Sequence, residues 1–145
     1  MDNILYESLK TPEVQQLLQN VDDLGYYDPE QIYLFRNSIL SQYVQDESYL
    51  IHLHETLNKY KYIDGLDELH LGRYIRWFKK SDGPNKLTNG GFILDMSLKK
   101  DVNIVCKNYR NNLFNINFNE CILFQKMSLQ DELVMNIVES LKAIE

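Results

Sequence analysis

The chain has 145 residues, of which 44% are hydrophobic and 25% are charged, and its formal net charge is −6. The composition argues for a globular fold rather than disorder, and a chain of this length can bury enough surface to need no metal or disulfide bond to fold. No apolar run approaches the roughly 18 residues of a membrane span, and the acidic N-terminal segment lacks the features of a signal peptide. We therefore expect a soluble, intracellular protein that has no membrane partner.

The charges are distributed unevenly along the chain. Residues 1–70 hold 13 acidic and 4 basic residues, whereas residues 71–127 hold 10 basic and 4 acidic ones. Residues 128–145 are acidic again. We predict an acidic helical region (1–70), a basic antiparallel β-domain (71–127) and a C-terminal helix (128–145) that packs on the β-domain, all within one compact unit.

Signals for the start of a helix recur in the first 64 residues. Thr11-Pro12-Glu13 and Asp28-Pro29-Glu30 each place a capping side chain before a proline and an acid in the first turn. A third helix is predicted from Asp46, and a short leading helix from Asn3 to Leu9. The short connections favour a helical hairpin or bundle. Helical spacing predicts buried faces of Val14, Leu17, Leu18, Val21 and Leu24, then Ile32, Phe35, Ile39, Leu40 and Tyr43, then Leu50, Leu53, Leu57 and Tyr60.

The hydrophobic period falls to two between Gly72 and Met127, where turn residues separate short runs. Arg110-Asn111-Asn112 suits a tight hairpin because asparagine tolerates positive φ, and Asn89-Gly90-Gly91 suits a turn or a bulge. The fold class is therefore α+β, with a small five-stranded antiparallel sheet or an SH3- or OB-like barrel. The candidate strands are Arg73–Lys80, Gly91–Leu98, Val102–Tyr109, Leu113–Phe118 and Cys121–Met127.

The last helix begins at Ser128, where Asp131 completes a pair that resembles a capping box. Apolar residues at helical spacing follow, and we predict that this face packs on the sheet or closes the end of the barrel. The face consists of Leu133, Val134, Ile137, Leu141 and Ile144.

The sequence contains no catalytic, cofactor or metal motif. His52 and His54 lie two positions apart, so on a helix they point in different directions and cannot share an ion. Cys106 and Cys121 lie in apolar stretches, as reduced core cysteines do, and a disulfide would require their strands to be neighbours. We expect a protein that is not an enzyme and that holds no cofactor and no metal.

The segment RYIRWFKK (73–80) combines aromatic and basic residues in one predicted strand. If Ile75 and Trp77 are buried, the opposite face alternates rings and cations. Rings stack on bases and cations contact phosphates, so this face suits single-stranded nucleic acid. Lys99 and Lys100 could extend it. The candidate binding residues are Tyr74, Arg76, Phe78, Lys80, Lys107, Tyr109 and Arg110.

A structural explanation of the same segment remains open. Strands are rich in aromatic residues, so Tyr74 and Phe78 could be core residues under the helices while Arg76 and Lys80 reach the rim. A basic sheet could also complement the acidic helical segments of the same chain, or an acidic protein partner.

Residues 72–125 resemble sequences encoded by large nucleocytoplasmic DNA viruses. The likeness is carried by GRYIRWFKK, LTNGGFILDM, NIVCKNY and ILFQKMS, and the viral families are uncharacterised. The resemblance implies a viral accessory or virion component in the host cytoplasm, nucleus or particle, and it implies no activity and no functional residues.

We interpret the chain as a non-enzymatic interaction protein that uses its basic β-domain to bind a protein partner. One alternative is a single-stranded nucleic-acid-binding module that uses Tyr74, Arg76, Phe78, Lys80, Lys107 and Arg110. The other is a structural protein whose apolar helix faces are completed by self-association.

Overall fold

The computed structural model describes residues 28–97 and 102–144, and this part of the chain is an α+β fold. The predicted helices from Asn3 and Thr11, and the basic pair Lys99 and Lys100, lie outside the described residues. The described helices are α1 (Pro29–Leu40), α2 (Glu47–Thr56) and α3 (Leu129–Ile144). The strands are β1 (Tyr60–Ile63), β2 (Tyr74–Lys79), β3 (Gly91–Ser97), β4 (Asn103–Lys107), β5 (Leu113–Asn117) and β6 (Cys121–Lys126).

The three helices begin where their capping residues predict. The carboxylates of Asp28 and Asp46 each accept a hydrogen bond at 3.1 Å from the amide two residues further on. Ser128 and Asp131 form a reciprocal capping box, in which each side chain accepts from the other residue's amide at 2.9–3.0 Å. These bonds satisfy amides that have no partner within the first helical turn, so the helix starts are fixed by local sequence.

The buried face of α1 differs from the predicted one. Ile32, Ile39 and Leu40 are buried as expected, but Phe35 is exposed and Arg36 is buried in its place, with only 5% of its surface exposed. A charged side chain can occupy a buried position when its donors are matched by acceptors. The prediction for Phe35 was wrong because the pattern of apolar residues cannot show such acceptors.

Arg36 joins α1 to the turn that follows α2. Its Nε donates to Nδ1 of His54 at 3.0 Å, and its Nη1 donates to the carbonyls of Leu57 and Tyr60 at 2.8 and 3.0 Å. Nδ1 of His54 is therefore an acceptor, and Nε2 donates to Oδ1 of Asn37 at 3.0 Å. Burial, followed by the charge of Arg36, lowers the pKa of His54. The buried imidazole is neutral.

Strand β1 was not predicted from the sequence. The helical spacing assigned Tyr60 to the helix from Asp46, but α2 ends at Thr56 and the chain enters the sheet at Tyr60. The buried side of β1 carries Lys61 and Ile63, whereas the two tyrosines on its other side are half-buried. A lysine at a buried position conceals the strand pattern.

The six strands form one antiparallel sheet in the order β1-β6-β2-β3-β4-β5, so β1 and β5 are its edges. The five predicted strands are all present, with ends that differ by a residue or two. The predicted hairpin joins β4 to β5, and Asn111 has the positive φ of 66° that this turn requires. A register shift between Ile93 and Asp95 bends β3.

The two faces of the sheet carry separate apolar clusters. On one face, strand side chains pack together with the segment after β1. On the other face, β2 and β6 pack against α2 and residues 39–44. The first cluster includes Ile63, Leu69, Ile75, Trp77, Ile93, Ile104, Cys106, Ile116, Cys121 and Leu123; the second includes Ile39, Leu40, Val44, Leu53, Leu57, Phe78, Ile122 and Phe124.

The first of these faces is concave. Trp77 on β2 and Phe114 on β5 are separated by two strands, yet their ring centroids lie 6.0 Å apart in an edge-to-face arrangement. In a flat sheet, three strand spacings would hold the two backbones about 14 Å apart. The sheet is therefore strongly curved, and the rings close the concave side between β2 and β5.

The chain divides into two compact units, and the boundary falls within α1. Of the described residues, 36–97 and 102–126 form the unit that contains the sheet, and 28–35 and 127–144 form the other. In the latter, Val134, Ile137 and Val138 are the buried residues of α3, and Lys142 forms an ion pair with Asp28. Leu141 and Ile144, predicted to be buried, are exposed. The predicted division at residues 70 and 127, and the packing of the last helix on the β-domain, stay predictions.

In the described part of the chain, no helix has the length and apolar character needed to cross a bilayer. Both cysteines are free thiols in the core. Burial raises the pKa of Cys106 to about 12, and it also raises the pKa of Cys121. Neither thiol is poised for nucleophilic chemistry.

Substitution of Gly90 tests how closely the loop before β3 approaches the backbone of β2. Its φ is 94°, and a Cβ atom there would overlap the Ile75 carbonyl oxygen, whereas Gly72, at φ 83°, would place a Cβ with no atom within 4 Å. We expect Gly72→Ala to lower the free energy of unfolding by about 1–2 kcal/mol through its backbone conformation alone. Gly90→Ala should cost about 1–3 kcal/mol more, because the backbone must shift. Denaturant unfolding of both variants measures the difference, and equal losses would contradict the close approach.

His54 predicts a pH dependence of stability. Because its pKa is lowered in the folded protein, unfolding takes up a proton once the pH falls below about 6.5, the ordinary value for the unfolded chain. The stability gained from the neutral imidazole is complete above that pH and is lost as the pH decreases. We expect His54→Gln to flatten the pH dependence of the denaturation midpoint between about pH 7 and 5. His52→Gln, at an exposed position on the same helix, is the matched control substitution.

Candidate functional site

The predicted aromatic and basic stripe on β2 is interrupted. Ile75 and Trp77 are buried as expected, but Phe78 on the opposite face is also buried, with 1% of its surface exposed. Its ring meets Tyr43 edge to face, with centroids 5.3 Å apart, in the cluster beneath α2. Phe78 was assigned to the binding surface in error, because its position beneath α2 depends on residues far away in the sequence.

Tyr74 and Arg76 are half-buried, and their polar atoms are bonded to the loop before β3. Nε of Arg76 donates to the Thr88 carbonyl at 2.8 Å, and the Tyr74 hydroxyl donates to the Asn89 carbonyl. The loop is also paired with β2, since the Thr88 amide and hydroxyl bond to the backbone of Trp77 at 2.9 and 3.2 Å. These two candidates therefore position residues 87–90.

Lys80 and Lys107 lie apart from each other. Lys80 is exposed just after β2, and its amide donates to the Glu120 carbonyl at 2.9 Å. Lys107 is half-buried on the convex face of the sheet, in register between Phe92 on β3 and Leu113 on β5. The seven candidate residues do not form one continuous surface.

Tyr109 and Arg110 lie at the tip of the β4–β5 hairpin, as expected. The side chain of Asn108 holds the turn, because its Oδ1 accepts from the amides of Arg110 and Asn112 at 2.9 Å each. Tyr109 is left 72% exposed, and the Arg110 guanidinium lies 5.5 Å from the centroid of its ring. The turn presents an aromatic ring and a cation side by side.

The hairpin and residues 87–90 enclose a cleft of about 330 Å³ at the edge of the concave face. Three aromatic rings line the cleft: Trp77 and Phe114, which are in edge-to-face contact, and Tyr109. The lining residues are Trp77, Thr88, Asn89, Gly90, Asn108, Tyr109, Arg110, Asn112 and Phe114.

Of these lining residues, only Tyr109 and Arg110 were predicted from the sequence as binding residues. Trp77 was predicted to be a core residue, which it is, but its ring also borders the cleft. Phe114 was not singled out, although it stands beside an asparagine-rich turn in a strand whose first three residues are exposed. Phe114 reaches the cleft because the sheet curves across β3 and β4, and no pattern in the neighbouring sequence indicates that curvature.

The chemistry of the cleft is aromatic, amide-rich and weakly cationic. Among the described residues that line it, Arg110 is the only charged group, and no carboxylate, imidazole or thiol is present. In the described part of the chain, no group of three or more acidic, histidine or cysteine side chains could hold a metal ion. The cleft can offer stacking surfaces, amide donors and acceptors, and one guanidinium.

No family model, no curated protein and no solved structure matches this chain. What the cleft binds has to be inferred from the side chains that line it.

The contribution of the Asn108 side chain to the stability of the β4–β5 turn can be tested by substitution. Asn108→Ala removes the acceptor for two turn amides, and we expect it to lower the free energy of unfolding by about 1–2 kcal/mol. Asn108→Asp keeps an acceptor in the same place and should retain most of the stability. Denaturant unfolding of the two variants provides the comparison, and equal destabilisation would show that the side-chain bonds do not hold the turn.

Proposed function

We propose that this protein is a non-enzymatic binding module whose cleft takes one unstacked base of a single-stranded nucleic acid. The observation that carries the proposal is the lining of the cleft: three aromatic rings, one arginine, three asparagines and no acid among its described residues. Single-stranded nucleic acids are bound by aromatic stacking surfaces combined with cations that meet the backbone.

The size and shape of the cleft support a single planar group. Ligand pockets are about 300–1,000 Å³, and a cleft of about 330 Å³ lies at the lower limit of that range. Tyr109, with most of its ring exposed, can cover a base that enters against Phe114 and Trp77. The strong curvature of the sheet favours a likeness to SH3- or OB-like barrels, which bind ligands at their open ends or on their strands.

The polar groups support an anionic ligand with hydrogen-bonding edges. Arg110 can form an ion pair with a phosphate. The side-chain amides of Asn89 and Asn112 can donate hydrogen bonds to the edge of a base and accept them from it. A cationic ligand is less well matched, because no carboxylate lines the cleft, and an acidic peptide is less well matched, because only one guanidinium does. We propose a viral accessory or virion component as the setting, on the resemblance of residues 72–125.

A protein partner is the second candidate, and a different surface favours it. On the convex face, Phe92 and Leu113 are 47% and 65% exposed, with Lys107 between them. Exposed apolar residues grouped on one face are typical of protein interfaces. Phe92→Ser combined with Leu113→Ser would then abolish partner binding while leaving nucleic-acid binding intact.

The test of the leading proposal is fluorescence anisotropy of labelled single- and double-stranded oligonucleotides, at low and at moderate salt. We expect single strands to bind more tightly, and Tyr109→Ala to weaken binding about 5- to 100-fold through the loss of one stacked base. Arg110→Ala should weaken binding and reduce the slope of log K against log salt by about one. Trp77 is the only tryptophan, so its emission should change on binding.

Lys126→Ala is the matched control, because it removes one exposed cation at the other end of β2 and β6. It should leave the affinity within about twofold, as expected for a charge outside the contact. Tyr109 and Arg110 are exposed, so their replacement preserves the fold. Absence of binding at low salt, or an unchanged affinity in Tyr109→Ala, would overturn the proposal.

A further inference from the structure

Strand β5 is an edge of the sheet and pairs with β4 alone among the described strands. Its sequence is LFNIN, and its first three residues are exposed. Edge strands usually carry a charge, a proline or a bulge that discourages pairing with another chain. β5 has no charged residue and no proline, and its pairing with β4 is regular.

The direction of the backbone groups in β5 follows from the bonds that flank it. The Asn108 amide donates to the Asn112 carbonyl at 3.0 Å, and the Phe118 amide donates to the Val102 carbonyl at 2.9 Å. Hydrogen-bonded and non-hydrogen-bonded pairs alternate in an antiparallel ladder. Between these two pairs, the amides and carbonyls of Phe114 and Ile116 must point toward β4. Those of Leu113, Asn115 and Asn117 point outward, away from β4.

Three outward residues at alternate positions form a template for another strand. No backbone hydrogen bond joins the outward groups of Leu113 and Asn115, or the outward amide of Asn117, to another residue within the ranges 28–97 and 102–144, whereas the Asn117 carbonyl opens the 3-10 turn Phe118–Glu120. The edge therefore offers three donors and two acceptors in extended geometry. An antiparallel strand that is added there gains the same ladder as an internal strand.

We propose that β5 is a self-association surface, on which the β5 strand of a second copy pairs antiparallel about a two-fold axis at Asn115. In this register Asn115 faces Asn115 of the second copy, and Leu113 faces Asn117 of the second copy. Both pairs use the outward groups, and in the second pair the Leu113 carbonyl accepts from the Asn117 amide of the second copy. The inference is independent of the ligand of the cleft.

The side chains favour a second copy over another extended segment. On the concave face, Phe114, which is 41% exposed, lies opposite Ile116 of the second copy, and the same contact recurs across the axis. Aromatic and β-branched residues make favourable cross-strand pairs. On the convex face, the axis brings two asparagine amides together, which can bond to each other. No like charges meet, because the strand has none.

A further consequence concerns the cleft, because Phe114 also lines it. The two copies of Phe114 lie about two residues apart along the paired strands, on the same face of the joined sheet. The two clefts of the dimer would open side by side across the axis. The pairing buries little area, so we expect a weak dimer whose mean mass rises with protein concentration.

The experiment is sedimentation equilibrium of the full chain over a range of concentrations, with charge variants at the axis. We expect the wild type to approach twice the mass of the 145-residue chain. Asn115→Lys and Asn115→Asp should each be monomeric, since each places two like charges together. An equal mixture of the two variants should restore the dimer, because the charges at the axis are then opposite.

The controls separate this pairing from other association. Asn115 is exposed and its amide and carbonyl point away from β4, so circular dichroism and Trp77 emission should match the wild type in both variants. Asn85→Lys makes a similar change of charge at an exposed site outside the sheet and should leave dimerisation unchanged. A wild type that stays monomeric, variants that remain dimeric, or a mixture that stays monomeric would each overturn the proposal.

Discussion

The contact between Trp77 and Phe114 is the constraint on which the cleft depends. Their rings meet across β3 and β4, so the sheet must curve until β5 approaches the concave side of β2. This curvature encloses the first apolar cluster, and it brings the β4–β5 hairpin opposite residues 87–90. The same strands in a flat sheet would have the same neighbours and the same register, but no cleft. The candidate site is a property of the sheet as a whole.

Features that depend on a few neighbouring residues could be predicted from the sequence. The caps at Asp28, Asp46 and Ser128 and the turn at Asn111 are of this kind, as are the five strands between Gly72 and Met127. Strand β1 could not, because it is only four residues long and buries a lysine in place of an apolar residue. Apolar periodicity identifies a strand only when the buried side is also the apolar side.

The burial of Arg36 and Phe78 shows what local patterns cannot contain. Arg36 is buried because acceptors on a turn about 20 residues later meet its guanidinium, and Phe78 is buried because α2 covers it. Tyr109 and Arg110 were predicted to extend a surface based on β2, but they line the cleft with Trp77 and Phe114. Tyr109 and Arg110 were thus singled out from the sequence, whereas their arrangement around the cleft was not predicted.

The two walls of the cleft differ in how freely they can change during evolution. Residues 87–90 are held by Gly90, which fits against β2 only without a side chain, and by bonds from Tyr74 and Arg76. The opposite wall includes two exposed side chains, Tyr109 and Arg110, on a turn that is fixed by the side chain of Asn108. Positions 109 and 110 can therefore accept other side chains without loss of the fold. Changes at these two positions would alter the lining of the cleft while the rest of the fold stays constant.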